Sequence, residues 1–336
     1  MATRSKKPVP KTPDEHVRDT RTPSTPPTLI PVGDDLVGER LDRALAQLFP
    51  EWSRTRAQAA IKAGAVRVNG QAVRASHLLE AGQQIELDAS ALTGSATPGG
   101  AGAPAPRAEA IPLRVVYEDD HLLVVDKPAG LVVHPAPGHA TGTLVNALLA
   151  HLPGLEAGDD ASRPGIVHRL DKDTSGLIVI AKDAATHAAL AEQMKEHSTI
   201  KRYLALVEGR MPAPEGVIDA PIGRDPRHRQ RMALVSEING GREARTRFKV
   251  LRELRGRSLL ELQLETGRTH QIRVHLASVG HPVVGDIVYG RTQQPLPPRQ
   301  FLHATHLEFV HPTTGEWLLF DAPLPPDLAD FLAQYE

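Results

Sequence analysis

The sequence predicts an α+β protein in two unequal folded parts, a small N-terminal ααβ module and a larger domain on a mixed, largely antiparallel sheet. Residues 91–110, ALTGSATPGGAGAPAPRAEA, are Gly, Ala and Pro with no periodic apolar pattern, the composition of a flexible linker, and they divide the chain. Before them, apolar residues recur at helical spacing and then in a short hairpin pattern. After them, β-branched runs joined by short Gly, Asn or charged turns are interleaved with helical patterns, which favours antiparallel pairing. No segment repeats at a fixed period, so solenoids and propellers are excluded.

In chain order, residues 1–28 combine Pro, Thr and charges with almost no large apolar groups, so burial cannot offset the entropy of ordering them and a disordered tail is expected. The module spans 36–90. Leu41, Leu45, Leu48 and Phe49 fall on one helical face, and Ser53 is placed to cap a second helix that ends near Gly64. In VRVNGQAV, Asn69-Gly70 sits between Val66/Val68 and Val73, a hairpin signal because both turn residues tolerate positive φ, and GQQIEL reads as a further strand. The second domain spans 111–330. It opens with two β-branched runs in LRVVYEDDHLLVVDKPAGLVVHP, split at Asp119-Asp120, and continues with strands at GLIVIAK, RYLALVEG, ARTRFKVLREL, RSLLELQLETG and HLEFVHP. Helices are expected at TLVNALLAHL, ATHAALAEQMKEH and THQIRVHLASVG.

Composition narrows function. The 336 residues include no cysteine, so disulfides, thiolate nucleophiles and cysteine-ligated metals are excluded. MATRSKKPVPKTPDEHVRDTRTPSTPPT lacks the apolar core of a signal peptide, and no stretch is apolar for long enough to span a bilayer, so a soluble cytoplasmic protein is expected. The formal net charge of -1 hides a segregated distribution. Residues 52–79 hold five bases and no acid, 224–257 hold eleven Lys/Arg against four Asp/Glu, and 300–336 hold six acids and no Lys or Arg. Each basic run could be a solvated face; together they fit a polyanionic partner.

Chemistry concentrates in PGIVHRLDKDTSGLIVIAKD, where a charged loop feeds a strand of core composition. Such a loop can hold a carboxylate beside a cleft, and it can equally be an ion-paired turn. Sixteen histidines raise a metal-dependent alternative, with His134, His139, His168, Asp171 and Asp173 as candidate ligands, but they form no HExxH or other compact spacing. TGRTHQIRVH suggests an anion-binding turn yet lacks the glycine spacing of a dinucleotide fingerprint or a P-loop.

Three long segments decide between these readings. GIVHRLDKDTSGLIVIAK, VVDKPAGLVVHPAPGHATGTLVNALL and ETGRTHQIRVHLASVGHPVVGDIVYG resemble, in order, the catalytic loop, opening motif and third motif of the RluA/RluD family of pseudouridine synthases, and the appended module and HPAPG segment point to its RluD branch. The span from GERLDRAL to GQQIEL resembles the S4 RNA-binding domain. The resemblance implies a pseudouridine synthase catalytic domain that isomerises uridine in RNA with neither metal nor nucleotide cofactor. It implies 23S ribosomal RNA as partner, at the intersubunit-bridge stem-loop. Asp171 corresponds to the essential carboxylate, which attacks or deprotonates the nucleoside. Arg169 corresponds to the residue that fills the space left by the flipped base. Tyr203 corresponds to the ring that stacks on the uracil and takes part in proton transfer, and Arg273 to the partner of the carboxylate. Arg54, Arg56, Lys62 and Arg67 are the corresponding phosphate contacts of the S4 module. A binding protein that kept the fold without the reaction is the rival reading, and it leaves a paired carboxylate facing a polyanion unexplained.

Overall fold

The computed structural model describes residues 27–49, 52, 54–88, 106–135, 138–155, 163–228, 231–290 and 295–335. Most of the tail, the linker up to residue 105, Ser53 and two residues of HPAPG therefore lie outside the described residues. The chain forms two compact units, Met1–Gly102 and Ala103–Glu336.

The first unit is a three-stranded antiparallel sheet in the order β1-β3-β2 (β1 Thr28–Pro31, β2 Val66–Val68, β3 Gln84–Leu87) with two helices, α1 (Leu41–Leu48) and α2 (Arg54–Lys62). Alternation sets its inner face, since Val66, Val68, Ile85 and Leu87 are buried whereas Arg67 is exposed. They pack with Leu41, Leu45, Trp52, Ala57 and Ile61 in one core. Strand β1 starts at Thr28, so the module begins before the expected residue 36 and is not simply ααβ. A polar group fixes the helix pair. Asp42, on the buried side of α1, accepts hydrogen bonds from Arg40 at 2.9 Å, Arg54 at 3.1 Å and Gln58 at 2.6 Å. Burial opposes its charge, but these donors outweigh burial and hold the carboxyl far below the usual range.

The Asn69-Gly70 turn forms, with φ of 49° and 76° and paired bonds between Val68 and Gln71 of 2.9 and 3.0 Å. The expected hairpin does not extend to Val73. Residues 75–79 bond instead to the entry of α1 (Leu41 N to His77 O 2.8 Å, Leu79 N to Glu39 O 2.9 Å), and β2 pairs with β3.

The second unit carries a nine-stranded sheet. Its strands are β4 (Val115–Glu118), β5 (Leu122–Lys127), β6 (Ser175–Ala181), β7 (Ile200–Glu208), β8 (Glu215–Asp219), β11 (Arg245–Leu254), β12 (Arg257–Leu264), β13 (Leu302–Val310) and β14 (Trp317–Asp321). They run β4-β5-β6-β13-β7-β12-β11-β8, with β14 on β13, and every pair is antiparallel except β6 with β13. β9 (Ile222–Arg224) and β10 (Met232–Leu234) form a separate ribbon. The helices are α3 (Leu144–His151), α4 (Ala184–Lys195), α5 (Gln271–Ser278) and α6 (Pro326–Ala333). Thr143 and Asn146 close a capping box on α3, and Asp183 caps α4.

Period-2 geometry explains the unbroken apolar runs Leu122–Val125 of β5 and Leu177–Ala181 of β6. Leu123, Val125, Ile178 and Ile180 enter one core, and Leu122, Val124, Leu177 and Val179 enter another on the opposite face. β5 and β6 are thereby pinned on both sides, which makes their ends a firm base for the loops they carry. Gly176, at φ 114°, lets β6 meet β13 at the start of that base: a Cβ there would lie 2.2 Å from the Ala304 carbonyl oxygen. The last residues of the expected linker are anchored, because Asn146 Nδ2 donates to Arg107 O at 2.7 Å and Glu109 N to Asn146 O at 2.9 Å. At the other end Phe331 and Tyr335 pack on the main core, beyond the expected limit of 330. Among the described residues no helix is long and apolar enough to cross a membrane.

Candidate active site

The loop before β6 is held on several sides. Leu170 is buried beneath it, Thr174 N donates to Asp171 O at 3.2 Å, and Gln300 Nε2 donates to Thr174 Oγ1 at 2.8 Å. Arg299 donates to Asp173 O and Ser175 Oγ, each at 3.0 Å. From below, fully buried Lys127 at the end of β5 donates to Pro128 O (2.8 Å), Leu131 O (2.9 Å) and Lys172 O (3.1 Å). Burial pushes its ammonium down to about 7, against the pull of Asp171 and Asp173. Asp171 is thus presented on a fastened turn with its side chain 16% exposed.

Arg273 reaches that carboxylate from the first turn of α5. Its Nη1 donates to Asp171 Oδ2 at 3.0 Å, while Nε and Nη2 grip Asp286 at 2.7 and 2.9 Å. Asp286 is itself fixed by Val288 N and Tyr289 N, which donate to Oδ1 at 2.8 and 3.0 Å. Burial disfavours both charges; the Asp286 hydrogen bonds, with the charges of Asp171 and Asp286, override it and raise Arg273, while Arg273 holds Asp286 low. The guanidinium therefore remains a cation with one end locked and the other aimed at Asp171. Tyr289 lies over it, with the guanidinium carbon 5.2 Å from the ring centroid. His270, left-handed at φ 56° at the entry to α5, places Nε2 3.9 Å from Asp171 Oδ1 and bonds Tyr289 through Nδ1 at 3.0 Å. Burial pushes the imidazole down, so it is neutral at neutral pH.

Tyr203 projects from β7, between Ala304 and Leu262 of the neighbouring strands. Burial and then the charge of Asp171 push its phenol above the ordinary range, which keeps it protonated. It lines a cleft of about 520 Å³ together with Arg163, Arg169, Lys195, Lys201, Arg242 and Arg268. Three histidines also line the cleft, and among the described residues no Asp or Glu does. Asp171 is outside the lining; Arg169, two residues away, and Tyr203, which feels its charge, connect the two. Burial lowers the pKa of Arg169, with Asp171 opposing.

The sequence-predicted residues thus fall into two groups. Asp171, Arg273, Tyr203 and Arg169 gather in the second unit. Arg54, Arg56, Lys62 and Arg67 belong to the first, where Lys62 and Arg67 are exposed, Arg54 is tied to Asp42, and Arg56 lies 5.0 Å from the Trp52 ring centroid. The basic run 224–257 is not one phosphate-facing surface. Arg257 is buried against Glu208 at 3.3 Å, and Arg245 and Arg247 pair with Glu265. Among the described residues of the run, Arg242 alone lines the cleft. The metal alternative gains no ligand set: among the described residues no three His, Asp or Glu gather to hold an ion, and His168 Nε2 accepts from Val179 N at 3.1 Å. Sequence reasoning missed Asp286, His270, Tyr289 and Lys127 as parts of the site, although all four stand within the quoted motifs.

The chain is similar to known proteins over most of its length. Residues 121–278 match the RNA pseudouridylate synthase family and residues 39–85 the S4 domain. A ribosomal large subunit pseudouridine synthase D from Nitrosomonas europaea is 48% identical over 90% of this chain and 86% of its own length. The protein of the same name from Pseudomonas aeruginosa is 44% identical over 87% of this chain and 91% of its own. Among solved structures, human RNA pseudouridylate synthase domain containing 1 aligns with a TM-score of 0.52 and 29% identity, covering 67% of this chain and 95% of that one.

Proposed function

The chain belongs to the RNA pseudouridylate synthase family, and from that premise we propose that it converts uridine to pseudouridine in 23S ribosomal RNA, at the intersubunit-bridge stem-loop, with Asp171 as the catalytic carboxylate. The observation that carries this reading is the Asp286–Arg273–Asp171 relay beside a cleft that contains Tyr203 and whose described lining is basic, with no carboxylate. Its large-subunit substrate rests on the names of the relatives, and the cytoplasm, where ribosomal RNA is made in bacteria, is the matching location.

The reaction breaks the bond from ribose C1′ to uracil N1, turns the base, and joins C1′ to C5; C5 loses a proton and N1 gains one. Atoms and redox state balance without a cofactor or metal. Arg273 occupies Asp171 Oδ2 and leaves Oδ1 for the substrate, where the carboxylate acts as nucleophile or as base at the sugar. A base within a helix must first leave its stack, at a cost of a few kcal/mol. Tyr203 supplies a face for the extruded uracil, and its phenol, kept protonated, can donate but does not compete as an anion. Arg169 is adjacent to fill the vacated space. The cationic lining attracts the backbone, and exposed Lys62 and Arg67 of the S4 module add affinity that is blind to base identity. Pseudouridine formation on 23S RNA transcribed without modification, with chelator present, tests the reading. Wild type should form product at mapped sites in that stem-loop and Asp171→Asn none; product on transfer RNA alone would overturn the substrate.

A further inference from the structure

Among the described residues Lys201 is the one buried cationic side chain of the cleft, and no described carboxylate pairs with it. It is 7% exposed, and among the described residues its ammonium meets only the Met194 thioether at 3.5 Å, a weak acceptor. Its neighbours do not compensate. Desolvation, and after it the charge of Lys201, lowers the pKa of His168, and Arg163, Arg169 and Arg268 share the same lining. Burying an ammonium with no anion costs several kcal/mol, and a methionine of similar length would fill the space without that cost. By contrast, the other deeply buried lysine, Lys127, is capped by three carbonyl oxygens.

Position indicates what the missing anion is. Lys201 and Tyr203 are two residues apart on β7, so both project from one face of the strand, separated by roughly 7 Å at about 3.3 Å per residue. A base stacked on Tyr203 carries its sugar and flanking phosphodiesters within reach of such a neighbour. We propose that Lys201 binds a phosphodiester flanking the flipped uridine, so that the RNA brings it a counter-charge and the nucleotide is gripped at both its base and its backbone. This rests on the reading that the cleft receives a flipped uridine. As a site for one phosphate it differs from the diffuse attraction of the lining, because it predicts a position-specific loss.

Single-turnover pseudouridine formation by the full chain on unmodified 23S transcript, over a range of RNA concentrations and salt, tests it with Lys201→Met and Lys201→Arg. Loss of one charge-assisted contact should raise the half-saturating RNA concentration of Lys201→Met roughly ten- to a hundredfold. Its salt dependence should flatten by about 0.7 in log–log slope. The rate at saturation should hold near the wild-type value, Lys201→Arg should recover most of the affinity, and without RNA Lys201→Met should melt at a higher temperature than wild type. Once product is mapped, one uncharged methylphosphonate placed in turn on either side of the target uridine should weaken wild type by the same factor at one position and weaken Lys201→Met no further there. Wild-type behaviour in Lys201→Met, an effect confined to the saturating rate, a lowered melting temperature accompanying the loss, or additive losses at both phosphates would each overturn the proposal. A wild-type protein that forms no pseudouridine removes the reading of the cleft and this proposal with it, an outcome distinct from an active enzyme indifferent to Lys201.

Discussion

Asp286→Asn separates positioning from chemistry at the Asp171 site. The amide keeps an oxygen for Val288 N and Tyr289 N, so the loop after α5 can hold its shape. It places an NH₂ against Arg273 Nε, which now donates to Asp286 Oδ2 at 2.7 Å, and two donors then face each other. The lost charge-assisted bond is worth about 1.5–3 kcal/mol, and a buried arginine deprived of one of two carboxylates brings the cost to about 3–5 kcal/mol. Arg273 then keeps its Nη1 bond to Asp171 and its Nη2 bond to the remaining oxygen, but its Nε loses its acceptor and the guanidinium must shift away from the facing amide. A displacement of about 1 Å at the reacting carboxylate costs on the order of 100-fold in rate. Urea unfolding reads the first effect. Single-turnover release of tritium from RNA labelled at uridine C5 reads the second, since that proton leaves in the reaction. The expected pattern is a stability loss of about 3 kcal/mol or more with a rate near one-hundredth of wild type. A rate within about threefold of wild type, under about 1 kcal/mol of barrier, would refute the claim that Asp286 sets Arg273 and Arg273 sets Asp171.

Other expectations follow from the same physics. Because the folded Asp42 carboxyl is held below its unfolded value of about 3.9, its contribution is fully present above that pH and is lost as pH falls through the lower folded value. Acid-unfolding curves of wild type and Asp42→Asn should therefore run parallel above about pH 5 and converge below about pH 4; a constant gap through that range would contradict the assignment. Gly176→Ala puts a methyl group into the Ala304 backbone at a positive φ, and should cost at least about 3 kcal/mol by urea unfolding; near-wild-type stability would mean that the β6–β13 approach is not tight. Lys62→Ala and Arg67→Ala should weaken RNA binding and each flatten its salt slope by up to about 0.9 without lowering stability. Arg54→Ala should lower stability as well, through Asp42; equal melting temperatures for all three would remove the structural role of Arg54.

The strands most legible in the sequence are those with least choice. Leu122–Val125 of β5 and Leu177–Ala181 of β6 are buried on both faces, so the apolar runs are unbroken and announce themselves. β8 and β14 expose alternate residues on edge positions, and Glu215-Gly-Val-Ile-Asp carries too few apolar groups to read as a strand. α6 left a usable signal, Pro326 at its first turn ahead of Leu328 and Phe331, which went unread. At the site, motif order points to Asp171, Tyr203 and Arg273. Asp286 is different: an aspartate in a loop says nothing of its burial, and its partner is known only once α5 turns Arg273 back toward it. Lys201 shows the same limit in reverse. A lysine on a strand reads as exposed, and only the surrounding strands and Met194 reveal that its charge is buried and, among the described residues, unanswered. The basic run 224–257 reads as a surface from composition, yet Arg257 turns inward to Glu208.

The most direct test of the account is the comparison of wild type with Asp171→Asn on unmodified 23S RNA, following pseudouridine at each uridine with chelator present. The account predicts product from wild type at discrete sites and none from Asp171→Asn, although that variant keeps the fold and still binds the RNA. Modification by Asp171→Asn at the wild-type rate would contradict it, because the Asp286–Arg273 relay would then be aiming at a residue the reaction does not use.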